Sequence, residues 1–144
     1  MIDTQGEFRN YDLFAWGLND NHQLGQLGLH STQEMGSKRS SALSPTTVTK
    51  NILIPRKVRD ISFPIKNIAC ASNHSIILPV QEDESAKPQI YALGTNSFGQ
   101  IGLSVHKYPV LSQIMKIGFE ENFMINQVCT SDQHTVLLCQ QDRE

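Results

Sequence analysis

The stretch LFAWGLNDNHQLG, Leu13 to Gly25, returns as IYALGTNSFGQIG, Ile90 to Gly102, with an aromatic, a Gly, an Asn, a Gln and a second Gly in the same register. A second pair follows in the same order. IACASNHSIIL, Ile68 to Leu78, returns as VCTSDQHTVLL, Val128 to Leu138, so that His134 repeats His74. Two different segments recurring in one order define a tandem repeat. Units of this length mark solenoids and propellers, in which no unit buries its apolar faces alone and each is stabilised by stacking on a neighbour.

The copies are unequally spaced. From Phe14 to Tyr91 the offset is 77 residues, whereas from His74 to His134 it is 60. The first copy therefore carries 17 additional residues between its two motifs. The surplus falls in Gln26 to Ile54, a stretch dominated by Ser, Thr, Gln, Gly and Lys, which is the composition of a solvated surface excursion. Repeat 1 is thus expected over 11–80 with an inserted polar loop at 26–54, and repeat 2 over 90–140. The acidic segment Gln81 to Gln89, ending on a Pro before the next strand, separates them as an exposed hairpin tip.

The local pattern is all-β. Leu13 to Trp16 and Ile90 to Leu93 are short β-formers running into Gly and Asn, and each is expected to open a hairpin. Ile65 to Cys70 and Asn126 to Thr130 supply strands. His74 to Leu78 and His134 to Cys139 supply their partners, and their near-continuous apolar character suits strands covered on both faces. Ala71-Ser72-Asn73 and Ser131-Asp132-Gln133 are tight polar hairpin connections. Arg56 to Ile61 and Leu111 to Ile117 provide the remaining strands, and no amphipathic helix is evident. The expected architecture is antiparallel propeller blades, with Trp16 to His74 and Leu93 to His134 as successive sheets.

Composition narrows function. A formal charge of −2 gives no general attraction for nucleic acid or anionic lipid, and the clusters Lys38-Arg39 and Arg56, Lys57 and Arg59 are too short to make a basic stripe. No run approaches membrane-spanning length and the N-terminus lacks a signal-type apolar segment, so a cytoplasmic or nuclear location is expected, without a membrane or direct nucleic-acid partner. The three cysteines, Cys70, Cys129 and Cys139, form no C-x-x-C pair. Cys70 and Cys129 sit among apolar neighbours and read as small core residues of a reducing compartment.

Histidine is the usual general base near neutral pH. Yet His74 and His134 hold one repeat position, and a base is not needed once per blade. They read as structural histidines bonded to neighbouring backbone. Ser75 and Thr135 beside them lack an oriented acid or a nucleophile elbow. Gly17, Gly25, Gly94, Gly99 and Gly102 form no phosphate-binding motif and read as turn residues. Trp16 and Tyr91 fit a core strand position. No catalytic, cofactor or metal site is assigned.

These residues resemble the regulator of chromosome condensation repeat, a β-propeller unit running aromatic-Ala-Trp-Gly-x-Asn-x-x-Gly-Gln-Leu-Gly, then Pro and Val, then a small-residue run with His before an apolar strand. Phe14, Ala15, Trp16, Gly17, Asn19, Gln23, Leu24 and Gly25 match the first half, with Pro55, Val58 and His74 following. Tyr91, Ala92, Gly94, Asn96, Gly99, Gln100, Ile101 and Gly102 match in the second copy, with Pro109, Val110 and His134. The departures are His22 in place of a Gly, Leu93 in place of the Trp, and Ala71 and Ser131 in place of a Gly three residues before the His. A positive φ at any site that has lost its Gly would carry strain. The doubled QLGQLG also allows a register shifted to Gly28, but the register ending at Gly25 keeps the Asn-to-Gln spacing of the second copy.

The resemblance implies an incomplete, open propeller of two repeats, either part of a larger ring or completed by another copy. It implies a non-enzymatic scaffold for a protein partner, with the insertion around Lys38, Arg39 and Ser44 as the candidate contact loop. The alternative it implies is guanine-nucleotide exchange on a Ran-like small GTPase. A third reading, an adaptor part of a ubiquitin ligase or kinase, rests on domains outside these residues.

Overall fold

The computed structural model describes residues 12–25, 27, 51–81 and 86–141. Within them lie eight strands and no helix: β1 Phe14–Leu18, β2 Asn51–Lys57, β3 Ile65–Cys70, β4 His74–Pro79, β5 Gln89–Thr95, β6 Val110–Gly118, β7 Met124–Thr130 and β8 Thr135–Gln140. They form three antiparallel sheets in the order β1-β2, β3-β4-β5-β6 and β7-β8.

The sheets are out of phase with the sequence repeats. The expected sheets, Trp16 to His74 and Leu93 to His134, are replaced by one whole sheet that takes its first two strands from repeat 1 and its last two from repeat 2. The cause lies in the connections. β3 and β4 are joined by the three residues 71–73, β4 pairs directly with β5, and β5 with β6, so all four stay in one layer. The chain changes sheet only through 58–64 and 119–123, which link β2 to β3 and β6 to β7. Each repeat thus ends one blade and starts the next.

The core lies on one face of the middle sheet. Ile76, Leu78, Ile90, Ala92, Leu111 and Ile117 pack there against Ile125 and Val128 of β7, with Ile101 closing the cluster from the β5–β6 loop. β4 is buried along its whole length, as its unbroken apolar run requires. β8 carries the same sequence pattern, yet Val136 and Leu138 are each 59% exposed, because no described residue covers its outer face.

Several expectations need correction. β2 begins at Asn51, so residues 51–54 are strand and not part of the polar excursion. Trp16 is 59% exposed and not in the core, since the strands that would cover it are absent from the described residues. Its counterpart Leu93 is buried, and Tyr91 is half-buried with its ring stacked on Phe63 at 3.9 Å. Cys70 and Cys129 are exposed. Cys129 lies on a sheet face that no described neighbour covers and Cys70 on the wall of a cleft, so an apolar sequence context did not translate into burial.

Candidate interaction surface

Four loops meet at one end of the sheets: 19–25 after β1, 71–73 between β3 and β4, 96–109 between β5 and β6, and 131–134 between β7 and β8. The first and third are built alike. Asn19 Oδ1 accepts from the Leu24 amide at 2.9 Å, and Asn96 Oδ1 from the Ile101 amide at 3.0 Å. Gln23 Oε1 accepts from the Asn21 amide at 3.0 Å, and Gln100 Oε1 from the Phe98 amide at 2.9 Å. A buried amide group must find partners, and here each side chain folds the loop around itself. Asn96 also donates through Nδ2 to the carbonyls of Leu103 and Tyr108, at 3.0 and 2.9 Å, and is wholly buried.

The same loops fix the register of the two motifs. His22 adopts a φ of +61° where Gly99 adopts +78°, and Gly25 and Gly102 follow at +72° and +84°. His22 therefore takes the turn position of a glycine with a full side chain, as the register ending at Gly25 requires. Ala71 and Ser131 carry no such strain. Their hairpins close by hydrogen bonds from the Ala71 amide to the His74 carbonyl and from the Ser131 amide to the His134 carbonyl, both 2.9 Å, without a positive φ.

Gly94 has a different task. Its φ is +99°, and a Cβ placed there would come within 2.7 Å of His74 Cα and closer still to the Asn73 carbonyl oxygen. β4 crosses against this glycine, and the Thr95 amide donates to the Asn73 carbonyl at 2.7 Å. Gly17, its counterpart, has nearly the same φ of +109° and no described atom within 4 Å of that position.

His74 is fully buried at this seam, with Nε2 3.1 Å from Thr135 Oγ1. It thus bridges two repeats through a side chain, not through neighbouring backbone as expected. Its Nδ1 has no hydrogen-bond partner among the described residues. Burial lowers the imidazole pKa, Asp132 opposes that and His134 adds to it. His134 itself is exposed. A shared repeat position did not give the two histidines a shared environment, since the blade that would cover His134 is not among the described residues.

Polar side chains knit the loops into one rim. Asn21 Nδ2 donates to Asn73 Oδ1 at 3.1 Å, Gln23 Nε2 to the Ser72 carbonyl at 3.3 Å, and Ser75 Oγ to the Gln23 carbonyl at 2.8 Å. Ser72 Oγ reaches Asp132 Oδ1 at 2.5 Å. Asp20, Ser72, Asp132, Gln133 and His134 are exposed along it. β2 starts at the same rim, because Asn51 pairs with Leu18. Lys38, Arg39 and Ser44 lie outside the described residues. No group of three His, Cys, Asp or Glu side chains able to hold a metal occurs among the described residues.

Sequence reading missed one feature. An apolar cleft of about 210 Å³ lies between the β1-β2 sheet and the middle sheet, lined by Phe14, Trp16, Ile68, Cys70, Ile77 and Leu93 among others. Its signal was present in the alternation of Ile68 and Cys70, but the pattern alone does not say which face is left uncovered.

An all-antiparallel stack of sheets, rebuilt at a fixed repeat and stitched by Asn and Gln in the connecting loops, defines a segment of β-propeller. Residues 12–78, just under half of the chain, match the family model described as Regulator of chromosome condensation (RCC1) repeat, and the chain has the fold of a β-propeller segment. It is 27% identical over 134 residues to the human protein named probable E3 ubiquitin-protein ligase HERC6, a match covering 92% of this chain but 11% of that relative's length. Among solved structures, human WBSCR16 superposes with a TM-score of 0.65 at 16% identity, over 93% of this chain and 32% of that one. Yeast RCC1 (Prp20), in a structure with Kap60 bound, superposes with a TM-score of 0.58 at 23% identity, over 88% of this chain and 23% of that one. Both establish likeness of fold.

Proposed function

We propose that this propeller segment is a non-catalytic scaffold whose loop rim binds a protein partner. The carrying observation is how its polar residues are engaged. Asn19, Gln23, Asn96, Gln100 and His74 shape and join the loops, and so hold an outer row of Asp20, Ser72, Asp132, Gln133 and His134 in a fixed array. Rigid display of polar loops is how scaffolds position binding groups. The strand that follows the insertion begins on that rim at Asn51, and the proposed contact region includes Lys38, Arg39 and Ser44. Kap60 on yeast RCC1 is an example of a protein partner on a protein of this fold.

Site-specific photocrosslinkers at Gln133 and within 28–50 test this, with Glu121 at the opposite end as control. The expected result is a discrete covalent adduct to one protein from the rim positions and none from Glu121. Equal labelling at both ends, or none at the rim, overturns the reading. The same protein added to a small GTPase loaded with fluorescent GDP is expected to leave nucleotide release unchanged. Accelerated release would replace the scaffold reading with nucleotide exchange.

A further inference from the structure

Gly17 and Gly94 hold the same repeat position and nearly the same backbone, at φ +109° and +99°. Gly94 is filled to contact by the Asn73-His74 backbone of β4, while the space before Gly17 holds no described atom. The β1 edge is thus shaped to receive a strand of the Asn-His-Ser type. The chain carries a second strand of that type. β8 follows Gln133-His134, and beyond β7 it has no strand partner among the described residues.

We propose that copies of this chain associate head to tail, with β8 of one copy pairing with β1 of the next to complete a four-stranded sheet β7-β8-β1-β2. The register follows from β4 and β5, where His74, Ser75, Ile76 and Ile77 face Gly94, Leu93, Ala92 and Tyr91. Shifted by the repeat, His134, Thr135, Val136 and Leu137 of one copy face Gly17, Trp16, Ala15 and Phe14 of the next. The Leu18 amide donates to the Gln133 carbonyl, as the Thr95 amide does to that of Asn73.

The packing is complementary as well. Within the chain, Ile76 and Leu78 pack on Ile125 and Val128. The same positions one repeat on, Val136 and Leu138, are exposed, and those one repeat back, Ile65 and Ile68, are half-buried, with Ile68 on the wall of the apolar cleft. Docking the β7-β8 hairpin beside β1 fills that cleft and covers Trp16, Val136 and Leu138 together. Such a contact uses different surfaces on the two copies, so it propagates into rings or filaments rather than stopping at a symmetric dimer.

Sedimentation velocity on the 144-residue chain tests this, with Trp16→Glu disabling the receiving edge and Val136→Glu the inserting hairpin. Both side chains are exposed in the single copy, and far-UV circular dichroism checks that each variant keeps its sheet. The wild-type mass is expected to grow with concentration, and each variant alone to self-associate about tenfold or more weakly. An equimolar mixture of the two is expected to give a 1:1 dimer that grows no further, because only one intact edge of each kind remains. Hydrogen exchange on the wild-type chain gives a reading without substitution: the amides of Trp16, Leu18, Thr135 and Leu137 are expected to gain protection as concentration rises. A monomer at all concentrations, a mixture that stays monomeric, or edge amides whose exchange ignores concentration would each overturn the proposal.

Discussion

Replacing Gly94 and Gly17 by alanine, one at a time, separates backbone strain from steric exclusion. Both residues sit in the left-handed half of φ space, so any side chain there costs about 1 to 2 kcal/mol. That contribution is common to both variants. At Gly94 the new Cβ also runs into the Asn73 carbonyl and His74 Cα, which are backbone atoms and cannot swing aside. Relief requires β4 and β5 to part, adding about 1 to 3 kcal/mol of packing loss and about 1 kcal/mol for the bond between Thr95 and Asn73. Gly94→Ala is therefore expected to destabilise by about 3 to 6 kcal/mol and Gly17→Ala by about 1 to 2 kcal/mol. Urea unfolding followed by far-UV circular dichroism at low protein concentration reads both. Equal costs would refute the claim that β4 presses on Gly94 while no described atom presses on Gly17.

The two asparagines should differ in the same way. Asn96→Ala strands two buried carbonyls and one amide and is expected to cost about 2 to 4 kcal/mol, against about 1 kcal/mol for Asn19→Ala, by urea titration. His22→Gly removes a side chain from a φ of +61° and is expected to stabilise by about 1 kcal/mol, visible as a rise in thermal midpoint. His74 is held below the ordinary histidine value of 6.5 by burial. The unfolded chain therefore takes up a proton there before the folded one. Stability is full above that value and falls as pH drops below it. In His74→Gln this part of the acid dependence should vanish, as measured by the difference in urea midpoint between variant and wild type from about pH 7.5 to about pH 5.

Strand positions and turn chemistry were largely legible from the residues. The run of Ile76, Ile77 and Leu78 demanded cover on both faces, and β4 has it. The Asn and Gln of each motif pointed to polar loops, and each closes its loop by a bond to an amide five or two residues away. Burial of the outer positions was not legible. Trp16 and Leu93 hold equivalent places, as do His134 and His74, yet one of each pair is exposed and the other buried. A residue's type and repeat position set what it needs for a neighbour. They do not supply that neighbour, which in a stack comes from the adjacent unit.

The phase shift between repeat and sheet follows from the same physics. A unit that ended where its sheet ended would stack on its neighbours through side chains alone. Here β4 and β5 belong to different repeats and share a backbone ladder, with the Thr95 amide on the Asn73 carbonyl and Gly94 pared down to admit His74. His74 then reaches forward to Thr135, and Ser75 back to Gln23. The middle sheet is thus bonded to the sheets on both sides, so removing a neighbour uncovers buried polar groups as well as apolar faces. An interlocked stack has edges that cannot be capped by side-chain changes alone. The places at Gly17 and along β8 that no described residue fills are therefore the ones at which the proposed strand pairing is expected.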